Sequence, residues 1–366
     1  MAITKIEVPE LFDFGSDNSA FKLPTGTTAE RPTSPSNGEM RFNTTTGYVE
    51  YYDTTDTQWW EIDYAPILPS DNFNTVLYTG NGSTQAITGT GFEPDLVWIK
   101  ERSSGSSHNI ADVVRGSTNY LSSNLTNAQS NLASTISSFD SNGFSVGNDG
   151  GVNQSAQTYV AWNWKAGGAA VSNPNGTLTS TISANVDAGF SIVKYTGNNS
   201  SSATIGHGLG KMPAMVMTKM SEQSGGASST SQWMIYHKDL AGNVSGDNPY
   251  NLYFSTNAEL DLIAFGAYDN ITTDVIPVTR TSASTAHNNN NLSTYVAYCF
   301  AEIAGYSKIG SYTGTGSATG PIVTTGFEPA WVMIKRTDGT AGAWSMFDNK
   351  RDPSNPVQKV LQAQDS

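Results

Sequence analysis

Two seven-residue stretches carry the clearest alternation of apolar and polar positions. Thr158-Tyr159-Val160-Ala161-Trp162-Asn163-Trp164 sets Val160, Trp162 and Trp164 at every second position, and Thr294-Tyr295-Val296-Ala297-Tyr298-Cys299-Phe300 does the same with Val296, Tyr298 and Phe300. A period of two is that of a β-strand, whose side chains point alternately to the two faces of a sheet. The bulky face is expected to be the core and the strand to be half-buried. Shorter runs bracketed by glycine, such as Gly143-Phe144-Ser145-Val146 and Gly189-Phe190-Ser191-Ile192-Val193, fit short strands joined by turn-rich connections. No long stretch shows a capped helical period, so the chain is expected to be all-β.

The pattern repeats. Tyr78-Thr79-Gly80, Tyr195-Thr196-Gly197 and Tyr312-Thr313-Gly314 recur every 117 residues. Each is followed by a proline, Pro94, Pro213 or Pro329, with valine three residues on (Val97, Val216, Val332) and lysine six residues on (Lys100, Lys219, Lys335). Gly91-Phe92-Glu93-Pro94 reappears as Gly326-Phe327-Glu328-Pro329. Self-similarity of this kind predicts tandem domains, here β-sandwich (jelly-roll-like) repeats over 73–189 and 190–305. A third, partial repeat over 306–366 lacks a counterpart of the Tyr-Val-Ala strand. An open half-sandwich exposes apolar strand edges, so the natural chain is expected to continue beyond Ser366, or else a neighbouring chain to complete the repeat.

Residues 21–65 differ in character. Proline and glycine punctuate Leu23 to Gly38, as in an extended linker, and then Met40-Arg41-Phe42-Asn43, Tyr48-Val49-Glu50-Tyr51-Tyr52-Asp53 and Trp59-Trp60-Glu61-Ile62 predict a small strand meander. Such a meander is marginal alone and carries many aromatic side chains, for which packing of identical copies as a homotrimer is the economical solution. Residues 1–20 are expected to form an arm whose apolar anchors are Ile6, Leu11, Phe12 and Phe14.

Composition narrows the function. A formal charge of -13 argues against nucleic acid, whose phosphates demand a basic face. No run of eighteen apolar residues predicts membrane insertion, and no apolar run near Met1 resembles a secretory signal. The single cysteine, Cys299, excludes an intramolecular disulfide and is expected to be a small buried side chain. Histidines 108, 207, 237 and 287 share no spacing, so solvated or locally bonded roles are expected, with no metal site and no cofactor.

Other candidates weigh towards structure. Asp112 with Arg115, and Asp348 with Arg351, are spaced to form local ion pairs that pin a loop, in the manner of exposed pairs with little catalytic significance. Candidate acidic residues (Asp140, Asp149, Asp187, Glu259, Asp261, Asp269) do not pair in the same way between copies, so catalytic residues are expected to be absent and the protein not to be an enzyme. Asx-Gly turns explain Asp140 to Gly143 and Asn148 to Gly150 more simply than calcium does. Among the tryptophans, Trp98, Trp162 and Trp164 are expected in the core. Trp233 and Trp344 follow loops and are the candidates for exposure as host-surface contacts.

Two resemblances follow from these residues. Arg31-Pro32-Thr33-Ser34-Pro35 through Glu39-Met40-Arg41-Phe42-Asn43, with the strands after it, resembles a short module of tail-fibre and other virion proteins of tailed bacteriophages. The repeats resemble a second module, seen in phages of marine bacteria and cyanobacteria, in which Gly-Phe-x-Pro-x-x-Val-x-x-Lys is followed by Asp-x-x-Arg-Gly and closed by Tyr-Val-Ala-x-x-Trp. The first repeat matches through Asp112, Arg115 and Gly116, whereas the second carries Tyr236-His237-Lys238-Asp239 there, and the third has Asp348 and Arg351 without the glycine. The resemblance implies a virion structural protein, a trimeric tail fibre assembled in the host cytoplasm, attached by its N-terminus to a tail adaptor, nozzle or other virion protein and used in host attachment. A host glycan or receptor is the implied partner at the far end, and a glycan-binding module or a capsid decoration protein is the alternative.

Overall fold

The computed structural model describes residues 23–62, 68–224, 231–240, 252–254, 270–278, 288–338 and 342–366. The chain divides into two compact units, Met1–Pro66 and Ile67–Ser366. The predicted arm, with Ile6, Leu11, Phe12 and Phe14, lies outside the described residues.

The described residues of the first unit form a single sheet. Met40–Asn43, Tyr48–Asp53 and Gln58–Ile62 pair antiparallel as the sequence predicts, and Thr25–Gly26 adds a short parallel strand at one edge. Its two faces differ sharply. On one, the buried Glu50 carboxylate is held by Arg31 and the Asn43 amide, with Arg41 at 3.6 Å, beneath the proline-rich segment. On the other, registers align Met40 with Tyr51 and Trp60, and Phe42 with Val49 and Ile62. All six of these apolar side chains remain at least partly exposed.

The second unit is all-β and contains the repeats. Five strands recur in one order, named here by role. In the first repeat these are the opening strand Phe73–Thr79, the lysine strand Leu96–Glu101, the rim strand Asn109–Asp112, the edge strand Asn119–Leu121 and the closing strand Thr158–Trp164. The closing strand lies between the opening and lysine strands, so the sheet runs edge, rim, lysine, closing, opening, with Ser130–Asn131 beyond the edge strand. A second sheet, Ile136–Asp140, Gly143–Val146 and Gln85–Thr88, covers one face.

The second repeat follows the same order with Phe190–Thr196 opening, Met215–Glu222, Met234–His237, Leu252–Tyr253 and the closing strand Thr294–Phe300. Val171–Asn173 and Ser180–Asn185 extend this sheet, so these residues pair with the second repeat although the sequence reading placed them in the first. Ala203–Gly206 and Val275–Val278 form its small second sheet.

Where the sequence predicts half-buried closing strands, the central strands are buried on both faces. Tyr159 and Ala161, with Val97, Ile99, Phe144 and Val146, fill the core inside the first sandwich. Val160, Trp162 and Trp164 point the other way and join residues of all three repeats, including Met217, Tyr298, Trp344 and Met346, in a shared core. The bulky face read from the sequence is therefore the contact between repeats. Each sandwich is lined by the smaller face, where tyrosine hydroxyls find backbone partners: Tyr159 donates to Gly150 O, and Tyr195 to Asn288 O.

The signature residues now have physical causes. Tyr78 stacks on Tyr159 and Tyr195 on Tyr295, with centroids 5.0 and 5.2 Å apart, which ties opening to closing strand. Gly80 and Gly197 follow because a Cβ there would overlap the carbonyl oxygens of Gln154 and Asn290, just ahead of each closing strand. Each lysine of the Pro-to-Lys strand is satisfied by carbonyl oxygens of its neighbourhood: Lys100 donates to Glu101 and Ser106, Lys219 to Thr126 and Ser231, and Lys335 to Gly342.

The third repeat has a lysine strand, Trp331–Lys335, a rim strand, Trp344–Asp348, and an edge strand, Leu361–Gln362. Replacing Gly80 or Gly197 by alanine is expected to lower unfolding free energy by about 2 kcal/mol or more, because backbone must shift to admit the methyl. Gly314, with nothing near its Cβ position, is expected to tolerate alanine within about 0.5 kcal/mol. Urea unfolding of the three variants checks this, and equal losses at all three positions would contradict it.

Candidate functional site: a closed ring of contacts between repeats

Strand registers identify equivalent positions that differ in residue type. Leu96 pairs with Asp112, Met215 with His237 and Trp331 with Asp348, so Asp112, His237 and Asp348 correspond. Counting back along each rim strand, His108, Trp233 and Trp344 also correspond. Ile110 pairs with Leu121, Ile235 with Leu252 and Met346 with Leu361, which makes the next residues, Ser122, Tyr253 and Gln362, equivalent.

These positions bond in a cycle. Trp233 of the second repeat donates its indole N–H to Ser122 O of the first at 2.9 Å. Trp344 of the third donates to Tyr253 O of the second at 2.8 Å, and His108 Nε2 of the first lies 3.0 Å from Gln362 O of the third. The tautomer of His108 is fixed because its Nδ1 accepts the Trp98 indole N–H at 2.8 Å, leaving Nε2 as the donor. One bond thus links each pair of repeats in the same sense and closes the ring within a single chain. Phe254 packs between them, with ring centroids 4.8 Å from Trp344 and 5.8 Å from both Trp98 and Trp233.

A second set of contacts runs in the same direction. Asp112 accepts from the backbone N–H groups of Val114 and Arg115 and pairs with Arg115 Nε at 2.6 Å, while Arg115 Nη2 donates to Ile110 O. Tyr298, from the closing strand of the second repeat, donates its hydroxyl to Asp112 at 2.7 Å and accepts from Arg115. The third repeat copies this cage: Asp348 accepts from Lys350 N and Arg351 N and pairs with Arg351, and Trp162 of the first repeat donates its indole N–H to Asp348 at 3.0 Å. Both ion pairs were expected to be exposed and are buried. Their cost of burial is offset by hydrogen bonds on nearly every polar atom and by an aromatic donor from the adjacent repeat.

Trp233 and Trp344, expected at the surface, are 0% and 4% exposed; their indole N–H groups point into neighbouring repeats, so neither lies free for a host-surface contact. A tryptophan after a polar loop is as suited to close a loop over a core as to meet a ligand. Trp98, Trp162 and Trp164 are core residues, as expected. Burial pushes the Cys299 thiol up to about 12, as suits an inert packed side chain. Asp140 accepts from Ser138 and Ser145, and Asn142 and Asp149 bond backbone N–H groups of Gly91 and Gly151, in line with turn chemistry. His207 is buried, its Nδ1 accepting from Leu209 N. Residues 259, 261, 269 and 287 lie outside the described residues.

Burial displaces several ionisable groups. His108 is held far below the ordinary imidazole range, at about 3, chiefly by desolvation and secondarily by Lys100. Lys219, enclosed by carbonyl oxygens, falls to about 7 for the same first reason. The Tyr298 hydroxyl is raised by burial, so it acts as a neutral donor to Asp112.

What these contacts define is an all-β protein whose repeats share one core and close a ring inside one chain. Residues 68–366 match a family described as a domain of unknown function, DUF7483, and the chain belongs to that family. No curated protein and no solved structure shows significant similarity to it.

Acid is expected to weaken the fold before carboxylates titrate. Below pH 6.5 the unfolded chain binds a proton at His108 that the folded chain refuses down to about pH 3, so stability falls as pH drops through that window. The slope approaches about 1.4 kcal/mol per pH unit, with buried His207 adding in the same sense. Urea midpoints between pH 7 and 5 should fall less steeply for His108→Gln, which keeps an acceptor and a donor. Parallel curves for variant and wild type would contradict the assignment.

Proposed function

We propose that the protein is a structural protein of a tailed-phage virion, a trimeric tail fibre or closely related appendage used in host attachment. The reading rests on the module resemblances of residues 31–62 and of the repeats. The observation that carries its trimeric part is the connector face of Met40, Phe42, Val49, Tyr51, Trp60 and Ile62, an apolar surface that no other described residue layer covers, on a sheet whose other face is occupied. A sheet of this size gains little stability unless such a face is covered, and three copies packing these faces together would bury it.

In this reading residues 1–20 dock onto a tail adaptor, nozzle or other virion protein. The repeat unit is the rigid body that the fibre displays, and its working principle is mechanical. Three chains presenting the same module turn weak contacts with a host receptor into avidity. A ring sealed by buried hydrogen bonds suits this role because it resists the local opening to which separate small sandwiches are prone. The glycan-binding alternative loses the two residues named for it, since Trp233 and Trp344 are enclosed. Capsid decoration differs in docking site alone.

Light scattering should give a mass near three times the 39.0 kDa of one chain. Tyr51→Lys with Trp60→Glu, at exposed positions, should reduce it to one chain without changing the melting of the repeat unit. A wild-type monomer at micromolar concentration contradicts the trimer. Antibody labelling of phage particles tests location: decoration of tail appendages is expected, and decoration of the capsid shell would overturn the tail-fibre assignment.

A further inference from the structure

The chain enters and leaves each of the first two repeats at the same end. Phe73, the first residue of one opening strand, pairs with Trp164, the last of its closing strand, and Phe190 pairs with Phe300 in the same way. The rings of each pair also pack together, with centroids 4.9 Å apart in both repeats. One residue further out the main chain is bonded across the same gap. Lys165 donates its N–H to Asn72 O at 2.9 Å and Ala301 donates to Gly189 O at 2.7 Å, so exit is tied to entrance in both repeats. His108 and Trp233 precede Asn109 and Met234, which pair towards the other ends of their lysine strands, with Ile99 and Thr218. The fold thus has one pole where the chain passes between repeats and another where the ring bonds close.

Side chains reinforce the first of these poles with bonds that belong to no strand ladder. After the first repeat, the buried Asp95 carboxylate accepts from Ala166 N at 2.7 Å and from Gly168 N at 3.2 Å. Gly167 N donates to Ser183 Oγ, which donates in turn to Gly168 O, and a Cβ on Gly167 would overlap Ala184 O. Asn185 donates from Nδ2 to Asn72 Oδ1 at 2.8 Å and to Lys165 O at 3.3 Å, while its Oδ1 accepts from Ala188 N, just ahead of the second opening strand. One side chain thereby joins the entrance and exit of the first repeat to the entrance of the second. After the second repeat, Glu302 pairs with Lys238, next to the rim strand, and with Lys308 at 3.0 Å, and it accepts from Ile309 N.

We propose that this pole is a tension clasp, through which a pull along the chain passes from linker to linker without loading the sandwiches. The bonds of an antiparallel ladder run perpendicular to its strands, so two strands pulled apart from one end lose them one at a time. A repeat held by its ladder alone would open from Phe73 and Trp164 inward. The clasp bonds lie outside that first pair and have to break before it. Load arriving at Asn72 is carried across by Asn185 to the second repeat, and load leaving at Ala301 is carried by Glu302 to Lys308 and Ile309. Forced opening is governed by the unfolding rate rather than by equilibrium stability, so a bond at the point of loading counts for more than an equal bond elsewhere. The use of the clasp rests on the fibre reading, in which the chain bears the pull between a particle and its host; its mechanics does not.

The test pulls the full chain between handles at Leu68→Cys and Tyr312→Cys, exposed positions that flank the first two repeats, the native Cys299 being buried. At constant force in optical tweezers, Asn185→Ala and Glu302→Ala should each shorten the lifetime before the first opening by about fivefold or more. Ser123→Ala removes a buried bond to Ala363 O at the other pole; it should lower the urea midpoint yet leave that lifetime within about twofold. An unchanged lifetime in either clasp variant, or one shortened as much by Ser123→Ala, overturns the proposal. Particle labelling that placed the protein away from the tail would leave these lifetimes as they are, so the clasp and the fibre assignment fail separately.

Discussion

The structure depends on one constraint: the central sheet of each of the first two repeats is apolar on both faces, and its own sandwich can cover only one. Tyr159 and Ala161 turn into the first sandwich, while Val160, Trp162 and Trp164 turn away from it and need an apolar partner. That partner is the equivalent face of the neighbouring repeats. Each large aromatic so buried is worth on the order of a few kcal/mol, far more than any single polar contact at the interface. The shared core therefore supplies the energy of association, and the polar contacts determine which surfaces meet.

Those polar contacts are directional where the core is not. Ring N–H to carbonyl bonds from Trp233, Trp344 and His108 lock adjacent repeats in a single sense, and the two aspartate–arginine cages accept Trp162 and Tyr298 from neighbours. A buried donor or acceptor left unpaired costs about 1–3 kcal/mol, so a slipped or inverted packing would lose several such bonds together. The buried aspartates and arginines thus act on specificity more than on net stability. In the second repeat His237 stands in the aspartate's place, and its Nδ1 accepts the N–H of Asp239 much as Asp112 Oδ1 accepts that of Val114.

Much of this was legible in the chain. The two-residue period of the closing strands, the Tyr-Thr-Gly and Pro-to-Lys spacings and the polarity of the connector strands give the strands, their repetition and the all-β class. Hidden from the sequence was which face lies inside a sandwich, because Val-x-Trp-x-Trp looks like an ordinary core face and Tyr-x-Ala like an ordinary outer one. The ring was hidden more deeply. His108, Trp233 and Trp344 share only a ring N–H donor, and the stretches between each lysine strand and its rim strand differ in length, so no spacing reveals their equivalence. Read as residues after loops, Trp233 and Trp344 pointed outward; read by strand register they are the bolts of the ring. The buried aspartate–arginine pairs were visible as pairs, but their burial depends on aromatic partners 186 residues away in sequence.

A closed ring requires the repeats to be one cooperative body. Native-state hydrogen exchange on Trp344→Phe measures this most directly, since the substitution keeps an aromatic ring in the shared core and removes the one N–H that Trp344 donates to Tyr253 O, between the third and second repeats. If the ring is a single unit, the slowest amides of the first-repeat closing strand Thr158–Trp164 lose protection together with those of Thr294–Phe300, by a common amount of about 1–3 kcal/mol. Loss confined to the second and third repeats, with the first unchanged, would show independent domains and contradict the account.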